Sequence, residues 1–169
     1  DIHGAIVVTP VFHTYSDQMD PAARTRSVEA FEQLAVEMND HPERYEVLGD
    51  LDLVLGILMT RGEAASFGAR LTFEGIRCVD VSAMEPGDEH LTDCWLEGTI
   101  EAWLEMVEDI RRNGRATGRQ TLNSLTMMGD AICLRGTDVM GVDKFSRFNQ
   151  SLQEFVDAFD GLPVRQTTG

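Results

Sequence analysis

The sequence predicts an α+β domain, a five-stranded, mostly antiparallel sheet with helices packed on one face. Three observations predict it. Apolar residues alternate with period two through much of residues 51–83, they recur every three or four residues in 21–39, 99–113 and 142–159, and the strands run together with most of the helices following them. The order is helix, three strands in hairpin succession, a fourth strand, a helix, a short helix, a fifth strand and a terminal helix.

Asp20-Pro21 supplies a cap followed by proline at the first helical position, and Val28, Phe31, Leu34, Ala35 and Met38 fall three or four apart. That spacing predicts a helix over 21–39, ended by Asn39-Asp40-His41-Pro42. From Leu51 to Met59 every odd position is apolar, while Asp52, Val54, Gly56, Leu58 and Thr60 are mixed, which predicts a central strand with a partly covered reverse. After the turn at Arg61-Gly62, Phe67, Ala69, Leu71 and Phe73 alternate with Ser66, Gly68, Arg70, Thr72 and Glu74 in a second strand. Glu74-Gly75 turns into a third strand over 76–83, the acidic segment MEPGDEH connects, and 91–97 forms the fourth.

Thr99 caps a helix whose stripe is Ile100, Trp103, Leu104, Val107 and Ile110 and whose stop is Asn113-Gly114. Residues 122–128 form a short helix closed by Gly129, and 130–135 the fifth strand. The last helix spans 142–159, with Val142, Phe145, Phe148, Leu152, Phe155, Val156 and Phe159 on one face. Residues 1–20, with a β-like run from Ala5 to Val8, form an N-terminal extension, residues 21–160 the domain, and 161–169 a flexible tail.

Composition limits what such a domain does. Apolar residues make up 43% and charged residues 25%, an ordinary globular balance in a chain long enough to bury roughly two-thirds of its surface. With 14 Lys+Arg against 29 Asp+Glu the net charge is −15, which repels DNA, RNA and anionic lipid surfaces and makes nucleic acid an unsuitable partner. The apolar window LDLVLGILM is about half the length of a membrane helix, and the N-terminal segment lacks a basic n-region, so neither stable membrane insertion nor secretion is expected. Cys78, Cys94 and Cys133 lack paired spacing and read as small buried residues in a reducing cytoplasm.

The polar residues offer little chemistry. His3, His13, His41 and His90 have no metal-binding spacing, and Glu85, Asp88, Glu89, His90 and Asp93 gather oxygen donors without a calcium-loop pattern, so neither a metal nor a cofactor is expected. Arg111, Arg112, Arg115 and Arg119 are a locally basic stretch past a helix end, suited to the helix dipole or to a phosphate. Nucleophile, phosphate-loop and dinucleotide motifs are absent from the sequence, and no catalytic residue is assigned. An enzymatic alternative is a small isomerase or hydratase acting on a steroid-like or polyketide-like substrate, with Asp52 or Asp80 as a carboxylate in an apolar cavity.

Asp93-Cys94-Trp95-Leu96-Glu97 runs straight into the helix 99–113. The segment LTMMGDAICLRG then gives helix, glycine, strand and glycine before the last apolar helix, while Gly49-Asp50-Leu51 to Met59 and Ala69 to Phe73 form a hairpin. Over residues 25–159 this arrangement resembles the sterol carrier protein type 2 family, a fold of five strands with helices packed around an apolar tunnel. The longer final helix and the first 20 residues depart from that pattern. The resemblance implies noncovalent binding or transfer of a sterol, fatty acid or acyl-CoA, with no chemistry by the protein. The pocket expected for such a domain is formed by Leu53, Leu55, Phe73, Trp103, Met106, Met128, Ile132, Phe148, Leu152 and Phe155, and methionine suits its wall because the thioether adapts to several shapes. Apolar residues that the sheet leaves uncovered offer a surface for a homodimer.

Overall fold

A computed structural model describes the backbone at residues 6–7, 21–61, 64–85, 87–162 and 165–166, and the side chains of residues 28–61, 67–85 and 87–162. Its elements, in chain order, are β1 (Ile6–Val7), α1 (Pro21–Asp40), the single turn α2 (Glu43–Glu46), β2 (Leu51–Arg61), β3 (Ala64–Gly75) and β4 (Arg77–Ala83). There follow a 3-10 turn (Asp88–Leu91), β5 (Cys94–Thr99), α3 (Ile100–Asn113), α4 (Leu122–Met128), β6 (Ile132–Arg135), α5 (Val139–Arg147), α6 (Asn149–Asp157) and β7 (Arg165–Gln166). The fold is α+β, as the period changes in the sequence predict. The remainder of the expected N-terminal extension and C-terminal tail lies outside the described residues.

The main sheet has the order β4-β3-β2-β5-β6. Three of its pairings are antiparallel and one, β2 with β5, is parallel. A parallel pair cannot be joined by a tight turn, and the connection here runs through β3, β4 and the 3-10 turn. A separate two-stranded ribbon pairs β1 with β7.

Pleating decides which side each residue meets. Leu51, Leu53, Leu55, Ile57 and Met59 of β2 are all buried, and across the β2–β3 pairing they stand beside Gly75, Phe73, Leu71, Ala69 and Phe67. Helices α1, α3 and α6 cover this face, and aromatic rings fill much of the gap. Phe31 stacks on Phe67 at 6.3 Å between centroids and meets Phe159 edge-on at 6.2 Å, while Phe73 meets Phe155 edge-on at 5.1 Å, geometries favoured by the ring quadrupole.

The reverse face is covered locally by the segment between β4 and β5. A Cβ at Gly56 would come within 2.8 Å of the Trp95 side chain and 3.2 Å of both Met84 and Thr92, so the segment after β4 folds down there and buries Leu58 and Met84. Its carboxylates organise the backbone: Asp88 Oδ2 accepts from the Glu85 N–H at 3.3 Å, Glu89 Oε2 from the Gly87 N–H at 2.9 Å, and Asp93 Oδ2 from the Val54 N–H at 2.8 Å. Two of the carboxylates of MEPGDEH, Asp88 and Glu89, thus receive backbone N–H groups of the segment itself.

Three boundaries differ from the sequence expectation, the smallest being the fifth strand, which begins at Ile132 and not at residue 130. The fourth strand begins at Cys94, not at residue 91, because Asp93 breaks step to bond Val54 through both its backbone N–H and its carboxylate. The single helix expected over 142–159 is two helices. It starts earlier, where Asp138 Oδ1 caps the Gly141 N–H at 2.7 Å, and it is interrupted at Phe148, whose φ of −105° and ψ of 14° are not helical. The change of direction lets Phe145 before it and Leu152 and Phe155 after it all reach the core. The helix predicted at 99–113 matches α3: Thr99 Oγ1 accepts from the Ala102 N–H at 3.1 Å, and Gly114 closes the other end at φ 81°, a conformation open to glycine without strain.

Candidate binding site in the apolar interior

Eight of the ten expected pocket residues come from five elements. Leu53 and Leu55 project from β2 and Phe73 from β3, Trp103 and Met106 line one face of α3, Ile132 opens β6, and Leu152 and Phe155 descend from α6. These eight are 0–3% exposed and belong to one continuous apolar cluster. Leu53 and Phe73 are register partners, and the Phe73 and Phe155 rings touch across the sheet–helix gap. Phe148 sits at the joint between α5 and α6, half-buried against the same cluster. Met128 stands apart from it: at the last residue of α4 it is 54% exposed, and its neighbour Met127 is 78% exposed. Gly129 ends α4 at φ 70° immediately behind it.

Within this cluster one polar atom has no match. Trp103 is 1% exposed, and its indole Nε1 has no hydrogen-bond partner. The other tryptophan, Trp95, lies on the reverse face and directs its N–H toward Glu97 Oε1 at 3.4 Å. No sequence signal identifies the unpaired N–H, because the position of Trp103 on the α3 stripe is equally that of a packing residue.

Among the clefts on the described surface are three that the expected pocket residues do not line. One of 520 Å³ runs along the outer side of α1 between Glu29, Glu32, Val36 and Leu162. Two of 370 Å³ flank Glu154 and Asp157, one toward Arg44, Arg115 and Asp160, the other toward Thr121, Asn149 and Gln153. The second is the more amide-lined, and Gln153 there accepts the Leu122 N–H at 2.7 Å.

Charged candidates from the sequence lie outside the interior. Asp52 has a side chain 90% exposed and an ion pair with Lys144 at 3.7 Å, and Asp80 is exposed as well. Neither has the apolar surroundings that proton transfer in a cavity requires. Of the four arginines after α3, Arg112, Arg115 and Arg119 are exposed. Arg111 is half-buried, its Nη2 donates to the Leu162 carbonyl at 3.1 Å, and desolvation lowers its pKa. Cys78 and Cys94 are buried, which pushes both thiols up to about 12, while Cys133 is half-buried with Sγ directed to the Gly129 carbonyl at 3.0 Å. His41 and His90 each face a backbone carbonyl, of Glu37 and Gly87, at 2.9 and 3.0 Å; His3 and His13 lie outside the described residues. Among the described residues no three His, Cys, Asp or Glu side chains are placed to hold a metal ion, and no helix is long and apolar enough to cross a membrane.

At the level of sequence, no protein-family model and no curated protein matches the chain. Solved structures do. A crystal structure of sterol carrier protein 2 superposes with a TM-score of 0.56 at 16% identity, covering 80% of this chain and 95% of that one. The solution structure of a conserved hypothetical protein from Thermus thermophilus, described as a candidate sterol carrier protein, gives 0.50 at 13% identity, covering 90% and 94%. The chain therefore has the fold of sterol carrier protein 2.

Proposed function

We propose that a domain with this fold binds a hydrophobic small molecule noncovalently, between the odd-residue face of β2 and β3 and the covering helices α3 and α6. The observation that carries this reading is the continuous apolar cluster of Leu53, Leu55, Phe73, Trp103, Met106, Ile132, Leu152 and Phe155 in that layer. Sterols, fatty acids and acyl-CoAs are the ligand classes to test. The proposed lining also includes Phe148, and Met128 of α4, whose exposed side chain would have to turn inward to reach a guest.

The thermodynamics of such binding are favourable. Burial of apolar ligand surface contributes about 25 cal/mol per Å², so about 400 Å² supplies roughly 10 kcal/mol against the costs of ordering the guest and displacing side chains. Eight of the lining side chains are buried, so a guest enters by displacing some of them. Phe148 is the natural point of yielding, since its backbone leaves helical geometry between α5 and α6 and its side chain is only half-buried. The buried, unpaired thiols of Cys78 and Cys94 suit a reducing compartment such as the cytoplasm.

Displacement of a fluorescent lipid by fatty acids, acyl-CoAs and sterols tests the reading. Saturable displacement at one site per chain is expected, and an absence of displacement by every class would overturn it.

A further inference from the structure

Trp103 carries a hydrogen-bond donor into the core, where its Nε1 meets no acceptor within hydrogen-bond reach. Its side chain is among the largest of those fully buried, it lies on the α3 face shared with Met106, Val107 and Ile110, and its Nε1 has no partner. Buried donors are satisfied in the great majority of cases, and an unsatisfied one costs the desolvation of the group with nothing gained in return. Packing alone does not call for this group: phenylalanine presents an aromatic ring with no polar atom, and the same core uses it at Phe31, Phe67, Phe73, Phe155 and Phe159. The donor has a function if its acceptor arrives with a ligand.

We infer that Trp103 Nε1 is a specificity-determining donor of the interior site, reserved for one neutral acceptor oxygen on an otherwise hydrocarbon guest. This rests on the binding reading above and narrows its ligand class. The oxygen is that of a ketone, an ester or an alcohol. A carboxylate fits less well, because a single neutral N–H does not compensate an ionised group taken out of water. The net charge of −15 adds a further bias against anions. Free fatty acids are therefore expected to be the weaker ligands, and neutral lipids bearing a carbonyl or hydroxyl the stronger.

The test compares four probes of one medium chain length, a methyl ketone, an alcohol, a carboxylate and a terminal alkene, by displacement of a fluorescent lipid from the wild-type protein and from Trp103→Phe. Each probe is judged by the ratio of its dissociation constants in the two proteins, which cancels its solubility in water. Loss of one hydrogen bond corresponds to a weakening of about five- to tenfold. That weakening is expected for the ketone and the alcohol, with the alkene unchanged within about twofold. A uniform change across the four probes overturns the assignment while leaving hydrophobic binding intact. Failure of all four to displace the lipid overturns the binding reading itself.

Should Trp103→Phe fail to fold, the wild-type protein gives the answer by NMR. Its two indole N–H resonances are distinguished by Trp95→Phe, and the Trp103 signal is expected to move downfield with the ketone and not with the alkene. An unmoved signal with bound ketone contradicts the inference.

Discussion

Asp157 Oδ1 accepts from the Ala116 N–H at 3.0 Å and from Gln153 Nε2 at 2.9 Å, and both bonds favour the ionised carboxylate. Burial outweighs them, and the pKa of Asp157 is raised. An acid whose pKa is raised by folding makes the fold less stable once ionised, and that stability returns as pH falls through its folded pKa. A side-chain amide in its place would keep an acceptor oxygen for both donors without the charge. Asp157→Asn is therefore expected to melt at or above the wild-type temperature at neutral pH, whereas Asp157→Ala strands the Ala116 N–H and loses about 1–3 kcal/mol. If asparagine proved as damaging as alanine, the charge itself would be the stabilising feature, through nearby Arg115. None of this is visible in the sequence, where Asp157 is one more acidic residue on the polar side of a helical stripe. What makes it different is a chain reversal that brings Ala116 to it from 41 positions away.

Helices and strands were legible wherever one period dominated. The odd positions of β2 and the stripe of α3 predict burial correctly because alternation and helical spacing place those side chains on one face whatever the rest of the chain does. The Thr99 and Gly114 caps were legible for the same local reason. The break at Phe148 was not, because apolar spacing from Val142 to Phe159 continues through it without a glycine or proline to mark it. Its cause is tertiary, the need for Phe145 and Phe155 to meet one core from two helices. Phe148→Ala is expected to weaken lipid binding about tenfold while costing the empty protein less than about 1 kcal/mol, since the ring is only half-buried. Equal losses in thermal stability and affinity would make it ordinary core. The docking of α5 is a second element-level feature. A Cβ on Gly141 would overlap the Asp93 carbonyl, and Lys144 of the same helix reaches Asp93 at 3.5 Å. Gly141→Ala is expected to destabilise by about 1–3 kcal/mol through overpacking against backbone, as read from a denaturant midpoint. An unchanged midpoint would show that the helix shifts freely.

At the scale of the whole molecule, the strand order β4-β3-β2-β5-β6 with its one parallel pair followed from no local pattern. Periodicity marks strands but not their neighbours, and the resemblance of the LTMMGDAICLRG region and the β5–α3 junction to a known arrangement implied five strands with helices packed on them, without their order. The Trp103 donor was illegible because satisfaction of a buried group is a property of everything around it. Cys78 and Cys94 predict a global pH response. The unfolded chain releases these protons near 9, while the folded chain, disfavouring a buried thiolate, holds them to about 12. Between those values the unfolded state binds fewer protons, so stability falls as pH rises through the window. Cys78→Ala/Cys94→Ala, though less stable at neutral pH, should show a shallower decline; an identical slope would assign the alkaline loss to other groups, Tyr45 among them. The central claim concerns where a lipid sits. Methyl NMR of the wild-type protein during titration with a neutral long-chain ketone addresses it most directly: shifts at Leu53, Leu55, Ile132 and Leu152 are predicted, and shifts confined to Val36 and Leu162 on the outer groove of α1 would contradict it.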